Sequence, residues 1–196
     1  IDAILDGNFK KAEQLAEETL RLGQLMRLES AAGVYGTQMF TIRREQGRLA
    51  EVAPIFKKFV DDNPGEAAWR PGLALIACDL GYLEPARKTF DEIAEDDFSL
   101  SFDAKRSVTL SYLAETCARL EDKAHAVPLY ELLLPYNELT ITMGISTICY
   151  GSAARYLGLL AATLEDWETS AGYFELAIAK NTNLRAWPWL AHSQAD

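Results

Sequence analysis

The side chains that most often carry catalysis or bind metals are scarce in this sequence, which holds two histidines and three cysteines. Neither His125 nor His192 has an evident partner in sequence, and Cys78, Cys117 and Cys149 form no Cys-x-x-Cys pair. We therefore predict no metal site. We interpret the cysteines as small buried residues with reduced thiols. The alternative, a redox sensor, would need an exposed thiol of low pKa beside a cation.

Short motifs that mark common reaction sites are also missing. The sequence contains no G-x-x-x-x-G-K-[ST] phosphate loop, no G-x-G-x-x-G and no H-E-x-x-H. It has no G-x-S-x-G nucleophile turn, and a helical chain offers no strand from which such a turn would project. We predict a non-catalytic protein that needs no cofactor.

The charge balance narrows the range of partners. Lys and Arg number 19 against 29 Asp and Glu, a formal net charge of -10. Nucleic acids and anionic membranes attract clustered cations, so we predict no direct contact with either. Apolar runs such as 156–162 are too short to span a bilayer. With 49% hydrophobic residues, the chain should be globular, and we expect it in the cytoplasm.

Residue spacing predicts an all-α protein. Gly (12) and Pro (7) are few, and apolar residues recur every three or four positions. The one alternating stretch, 139–143, is interpreted as a connector between helices. The predicted helices are 8–23, 28–46, 49–61, 66–80, 83–95, 102–119, 123–134, 146–164, 167–180 and 187–195.

No linker rich in Gly, Pro or Ser divides the sequence, so we predict one domain over residues 1–196. The chain begins at Ile1 without Met and without a signal-peptide pattern. We interpret it as a segment of a longer protein with truncated end repeats, whose function is part of a larger assembly.

An internal repeat of a short turn followed by an amphipathic helix organises the chain. The turns lie 34 to 44 residues apart, at Gly7, Gly47, Gly81, Glu121 and Glu165. Nine positions after each turn stands Ala16, Phe56, Phe90, Tyr130 or Phe174, and a mostly small residue stands five positions after it. This spacing should let one helix approach its partner closely and then wedge an aromatic ring against it. Such hairpins must stack to bury their faces.

The helix before each turn carries a second repeated signal. Leu157-Gly158 precedes the last turn, and Leu73-Ala74 and Leu113-Ala114 stand at equivalent places. Together with the small and aromatic positions, this pattern resembles the tetratricopeptide repeat. The resemblance implies an α-solenoid of about five helix hairpins, with a concave groove lined by the first helix of each pair.

The last third has a closer resemblance, carried by residues 149–167 (CYGSAARYLGLLAATLEDW), 173–179 (YFELAIA) and 186–192 (AWPWLAH). These stretches are similar to the C-terminal helical-repeat arm of large bacterial signalling regulators. In that group an ATPase module precedes the arm, and a class III nucleotidyl cyclase or a LuxR-type DNA-binding domain is attached. The resemblance implies a regulatory arm and carries no catalytic residue onto this segment.

From this resemblance we expect the arm to bind a partner protein, a peptide or its own neighbouring domains through the groove. Arg155 is the most informative position, because it is the only charged residue from Leu139 through Leu164. It suits a ligand carboxylate or phosphate, or else it is satisfied internally by Glu115. The repeat register places these residues in the groove: Gln38, Thr41, Arg44, Asp79, Ser111, Glu115, Arg155 and Leu159.

Two alternatives remain open for the function. In the first, the chain senses a small effector in a pocket formed by aromatic residues such as Tyr35, Trp69 and Tyr156. In the second, the uncharged stretch 139–164 is a surface through which copies of the chain associate.

Overall fold

The fold is known from a computed structural model, which describes residues 1–62, 69–98, 105–144 and 147–196, apart from the side chains at 59 and 60. Eleven α-helices follow one another in the described residues. They are α1 (Asp2–Leu5), α2 (Phe9–Leu25), α3 (Ala31–Glu45), α4 (Ala53–Asp62), α5 (Arg70–Asp79), α6 (Leu83–Ala94), α7 (Arg106–Arg119), α8 (Lys123–Leu133), α9 (Ala153–Thr163), α10 (Trp167–Leu184) and α11 (Trp187–Ala195).

Consecutive helices pair into hairpins. Helix α2 packs on α3, α5 on α6, α7 on α8 and α9 on α10, and α11 returns onto α10. The first helices of successive hairpins are also neighbours, because α7 packs against both α5 and α9. The all-α prediction is confirmed for the described residues, apart from one two-stranded ribbon.

That ribbon corrects two predictions. Strands β1 (Thr140–Met143) and β2 (Ile148–Ser152) pair antiparallel, so the predicted connector 139–143 is a strand and the predicted helix 146–164 starts too early. Helix α9 begins after Ser152, whose hydroxyl accepts a hydrogen bond from the Ala154 N–H at 3.2 Å. An extended backbone is favoured here because β2 is buried throughout and because the ribbon contains four β-branched residues, three in β1 and Ile148 in β2.

Other boundaries shift by a few residues. The predicted helix 49–61 opens as a 3-10 turn, Leu49–Glu51, before α4. Helix α10 runs four residues beyond the predicted end and stops where Arg185 takes a left-handed conformation, with φ 57. Parts of three predicted helices, 66–68, 102–104 and 146, lie outside the described residues.

All five predicted turns are confirmed by one backbone feature. Gly7, Gly47 and Gly81 have φ of 71, 68 and 80, and the glutamates at 121 and 165 have φ of 53 and 63. A left-handed residue ends one helix so that the next can begin. Asn8, Asp122 and Asp166 then cap the following helix by accepting a backbone N–H three residues on. All five turns therefore share the left-handed residue, and three of them also share the capping side chain.

Gly158 marks the closest approach between α9 and α10. A Cβ at this position would lie 2.9 Å from the ring of Phe174, the aromatic residue predicted to wedge between these helices. We expect Gly158→Ala to lower the free energy of unfolding by about 1–3 kcal/mol, because the ring must shift. Urea denaturation measures this change.

Gly172→Ala in α10 is the matched control, since a Cβ there meets nothing within 4 Å. Its greater helix propensity should leave stability unchanged or raise it by up to about 1 kcal/mol. Equal effects of the two substitutions would mean that α9 and α10 are not in close contact at Gly158.

Candidate functional site

Five charged side chains on or next to the odd-numbered helices α3 to α11 come together. Arg44 comes from the end of α3, Asp79 ends α5, Glu115 lies on α7, Arg155 lies on α9 and Asp196 follows α11. Four of these were predicted to line a groove. The structure brings those four together and adds Asp196, which the sequence analysis missed.

These groups bond to one another in an order of alternating charge. Arg44 donates through Nε to Asp79 and through Nη2 to Glu115, each at 2.6 Å. Arg155 donates through Nη1 to the other Glu115 oxygen at 2.5 Å and through Nε to Asp196 at 2.6 Å. Asp79 also forms an ion pair with Arg119 of α7, with 3.0 Å between Asp79 Oδ1 and Arg119 Nη2. We call the set of Arg119, Asp79, Arg44, Glu115, Arg155 and Asp196 the inner charge chain.

Glu115 is the centre of the inner charge chain and is only 4% exposed. Burial alone disfavours the ionised carboxyl, but the charges of Arg44 and Arg155 outweigh that effect and lower the pKa of Glu115 to about 2. Burial likewise opposes the charge of Arg155, yet Glu115 holds the pKa of Arg155 above its usual value. The buried charges therefore stabilise one another.

A chain of hydroxyl groups lies beside these charges. The Tyr112 hydroxyl donates to the Tyr150 hydroxyl at 2.5 Å, and the Tyr150 and Thr41 hydroxyls lie 2.9 Å apart. Thr41 donates to the Thr37 carbonyl, so Tyr150 is the donor to Thr41. Burial raises the pKa of Tyr150 to about 12. These three hydrogen-bonded hydroxyl groups link β2 to α3 and α7. The sequence analysis missed them because it assigned the strand that carries Tyr150 to a helix.

The remaining predicted groove residues offer little to a partner. The Ser111 hydroxyl donates to the Val108 carbonyl of its own helix. Gln38 is half-buried, and its Oε1 has no hydrogen-bond partner in the described residues. Leu159 is half-buried and packs against the hydrophobic core. Together with the paired charges, these positions form an interior contact face and leave few groups unpaired.

The uncharged stretch 139–164 is explained by burial. Nearly every described residue from 148 to 161 is inaccessible to solvent. Arg155, the only charge in the stretch, is neutralised by Glu115 and Asp196. Glu115, the internal partner that the sequence analysis considered for Arg155, is bonded to it in the structure. The buried residues 148–161 present little surface to a second copy of the chain.

The three aromatic residues of the predicted effector pocket separate into two places. Tyr35 and Trp69 line a pocket of about 420 Å³ between α3, the 3-10 turn and α4. Tyr156 lies elsewhere, 2% exposed, with its hydroxyl donating to the Tyr150 carbonyl at 2.9 Å. A pocket therefore exists at two of the three predicted residues.

Both histidines have partners that sequence reasoning missed. The Nδ1 atom of His125 lies 3.0 Å from Asp122 Oδ2, and its ring meets Phe90 and Phe98 edge-on. His192 Nε2 lies 2.9 Å from Glu45, joining α11 to α3. Asp122 is only three residues from His125, whereas Glu45 is 147 residues from His192 and leaves no local signal in the sequence. Both contacts contribute to packing between elements.

The three thiols should be unreactive in the folded protein. Cys78, Cys117 and Cys149 are buried and unpaired. Burial raises the pKa of all three thiols and that of Cys117 to about 12. Because the thiolate is the reactive form, we expect negligible reaction with an aromatic disulfide reagent in buffer and three equivalents in urea. Absorbance measures both. Rapid reaction of one thiol in the native protein would contradict this interpretation.

The described part of the chain contains neither a metal-binding cluster nor a membrane-spanning helix. No cluster of three or more His, Cys, Asp or Glu there is arranged to hold a metal ion. None of the helices described has the length and apolar character that crossing a membrane requires.

Comparison with known proteins gives no assignment: no family model, curated protein or solved structure matches this chain.

Proposed function

We propose that this chain is a tetratricopeptide-like α-solenoid arm of a cytoplasmic bacterial regulator, and that it binds a partner protein or a neighbouring domain without performing chemistry. The stacking of α5, α7 and α9 supports the solenoid part of the proposal. The resemblance of the last third to the arms of signalling regulators supports the regulatory part. The inner charge chain holds successive hairpins together, so the partner contact is best placed elsewhere.

An exposed apolar stripe on α2 is the observation that carries the binding proposal. Leu15 and Leu22 lie on one face of α2, the C-cap residue Met26 continues that face, and Leu25 lies beside them. Leu15 is 45% exposed and Leu22 is 47% exposed, while Leu25 and Met26 are each 70% exposed. Helices that display so much apolar surface are normally covered by another element. We call these four residues the α2 stripe, and an amphipathic helix of a partner protein is the element that fits it.

A displayed library of amphipathic helical peptides tests this assignment. Peptides selected on the wild-type chain should bind the double variant Leu22→Lys/Met26→Lys at least tenfold more weakly. Burying each of these side chains contributes about 1.5–3 kcal/mol, and tenfold corresponds to about 1.4 kcal/mol. Lysine is a good helix former, so α2 should remain folded.

Leu83→Lys is the matched control, because Leu83 is an exposed apolar residue at the start of a different helix, α6. Binding should be unchanged in this variant. Selected peptides that bind all the variants equally would refute the α2 stripe as the partner surface. Native mass spectrometry over a tenfold concentration range would detect the other possible occupant, a second copy of the chain.

A further inference from the structure

The pocket between α3 and α4 is lined by no member of the inner charge chain. Its volume is about 420 Å³, within the range of about 300–1,000 Å³ that is typical of small-molecule sites. The described residues that line it belong to α3, to α4 with the 3-10 turn and Val52 before it, or to the start of α5. The site is therefore built within one region of the fold and is separate from the α2 stripe.

Aromatic rings form the main wall of the pocket. Phe40 and Phe56 stack with their ring centroids 5.5 Å apart, and Trp69 meets Phe56 edge-on at 5.9 Å. Tyr35 and Met39 complete the lining on α3. Aromatic faces and edges provide specific contacts for another flat ring, in addition to the apolar area that such a ring buries.

Small residues on α3 keep the pocket open. Ala32, Gly33 and Gly36 all line it, and a Cβ at either glycine would meet no atom of the described residues within 4 Å. Glycine inside a helix costs stability relative to alanine. These glycines serve neither close packing nor a left-handed turn. Their structural effect is the space that they leave in the pocket.

The polar groups of the lining are already satisfied by the protein. Arg43 donates to Glu13 at 2.8 Å and to Gln46 at 2.7 Å, and its Nε lies 3.4 Å from Glu51. The Thr37 hydroxyl donates to the Gly33 carbonyl at 2.8 Å. A charged ligand would find no uncompensated opposite charge among the lining residues, and burying its charge there would be unfavourable.

From this geometry we propose that the pocket binds a small, flat, uncharged aromatic molecule. The aromatic wall selects a ring system, the volume sets its size, and the neutralised Arg43 excludes anions. This activity goes beyond partner binding, and because the site is separate from the α2 stripe, it can succeed or fail independently of the proposed function.

The test uses 2-naphthol as a neutral probe and naphthalene-2-sulfonate as an anionic probe of the same ring size. Binding is followed by methyl NMR at Met39, Val52 and Ile55, which all line the pocket. We expect 2-naphthol to shift these signals and to bind at least tenfold more tightly than the sulfonate. Gly33→Leu and Gly36→Leu should each weaken 2-naphthol binding at least tenfold by filling the pocket, while preserving the helix.

Gly172→Leu is the matched control, because Gly172 is also a helical glycine with open space around it but lies on α10. It should bind 2-naphthol as the wild-type chain does. Three results would overturn the proposal: no binding of 2-naphthol at millimolar concentration, unchanged binding in both α3 variants, or tighter binding of the sulfonate. An aromatic-containing peptide that fills the pocket when free 2-naphthol does not would also overturn it.

Discussion

Replacing Glu115 with Gln should destabilise the protein by about 3–5 kcal/mol. The amide has nearly the same shape as the carboxyl, but it removes the charge that compensates both Arg44 and Arg155. Breaking a buried ion pair from one side leaves an uncompensated charge in a poorly solvated place, and the cost of that is large. Here one substitution would remove a partner from two cations at once, leaving Arg44 with Asp79 and Arg155 with Asp196.

Urea denaturation of Glu115→Gln, followed by far-ultraviolet circular dichroism, measures this cost. Glu131→Gln is the control, since Glu131 is an exposed glutamate on the adjacent helix α8, and it should change stability by less than about 0.5 kcal/mol. A Glu115→Gln variant as stable as wild type would show that the inner charge chain does not hold the hairpins together.

Gly151→Ala should be the other severe substitution, lowering the free energy of unfolding by about 2–5 kcal/mol. Gly151 has φ +72, and a Cβ there would lie 2.6 Å from the Cβ of Trp189 and 2.9 Å from Asn181 Oδ1. The left-handed backbone contributes about 1–2 kcal/mol of strain, and overpacking contributes about 1–3 kcal/mol more.

This clash would also disrupt the hydrogen bonds through which Asn181 joins β2, α10 and α11. Asn181 accepts the Ser152 N–H at 2.9 Å and donates to the Trp189 carbonyl at 3.2 Å and the Ser193 hydroxyl at 3.1 Å. We therefore expect hydrogen exchange in α11 to become faster in Gly151→Ala than elsewhere in the chain.

Gly81→Ala separates strain from overpacking. Gly81 has a similar φ of +80, but a Cβ there meets nothing within 4 Å. It should cost only the strain, about 1–2 kcal/mol, and should leave exchange in α11 unchanged. Similar stability losses in both variants, with slow exchange retained in α11, would mean that α11 does not pack against Gly151.

The sequence predicted best what local chemistry decides. Helix type follows from apolar spacing. Glycine explains the left-handed backbone at three of the five turns, and a capping side chain follows three of them, at Asn8, Asp122 and Asp166. The sequence analysis also grouped Arg44, Asp79, Glu115 and Arg155, because each lies on the first helix of a predicted pair, although they stand 3, 2, 6 and 10 positions before their turns.

Sequence reasoning was weakest where distant residues decide the structure. Residues 148–152 continue an apolar helical pattern, yet they form a strand because they pair with 140–143 and are enclosed by α10 and α11. The partners Asp196 and Tyr150 lie 41 and 109 residues from the groups that they bond, Arg155 and Thr41. No local periodicity encodes such pairings. The sequence analysis anticipated the pocket only through Tyr35 and Trp69. The space inside the pocket depends on the missing side chains of the α3 glycines, which the sequence analysis did not consider.

The most direct test of the account is a titration of Glu115 by carbon NMR in the folded chain. The closed inner charge chain predicts that this carboxyl remains ionised as the pH falls, with a pKa of about 2 against an ordinary value of 4.5. Because the folded pKa is the lower one, its contribution of about 3 kcal/mol is complete above pH 4.5 and is lost between pH 4.5 and 2. A midpoint near 4.5 in the folded protein would contradict the account, because it would show a carboxyl open to solvent and to a partner.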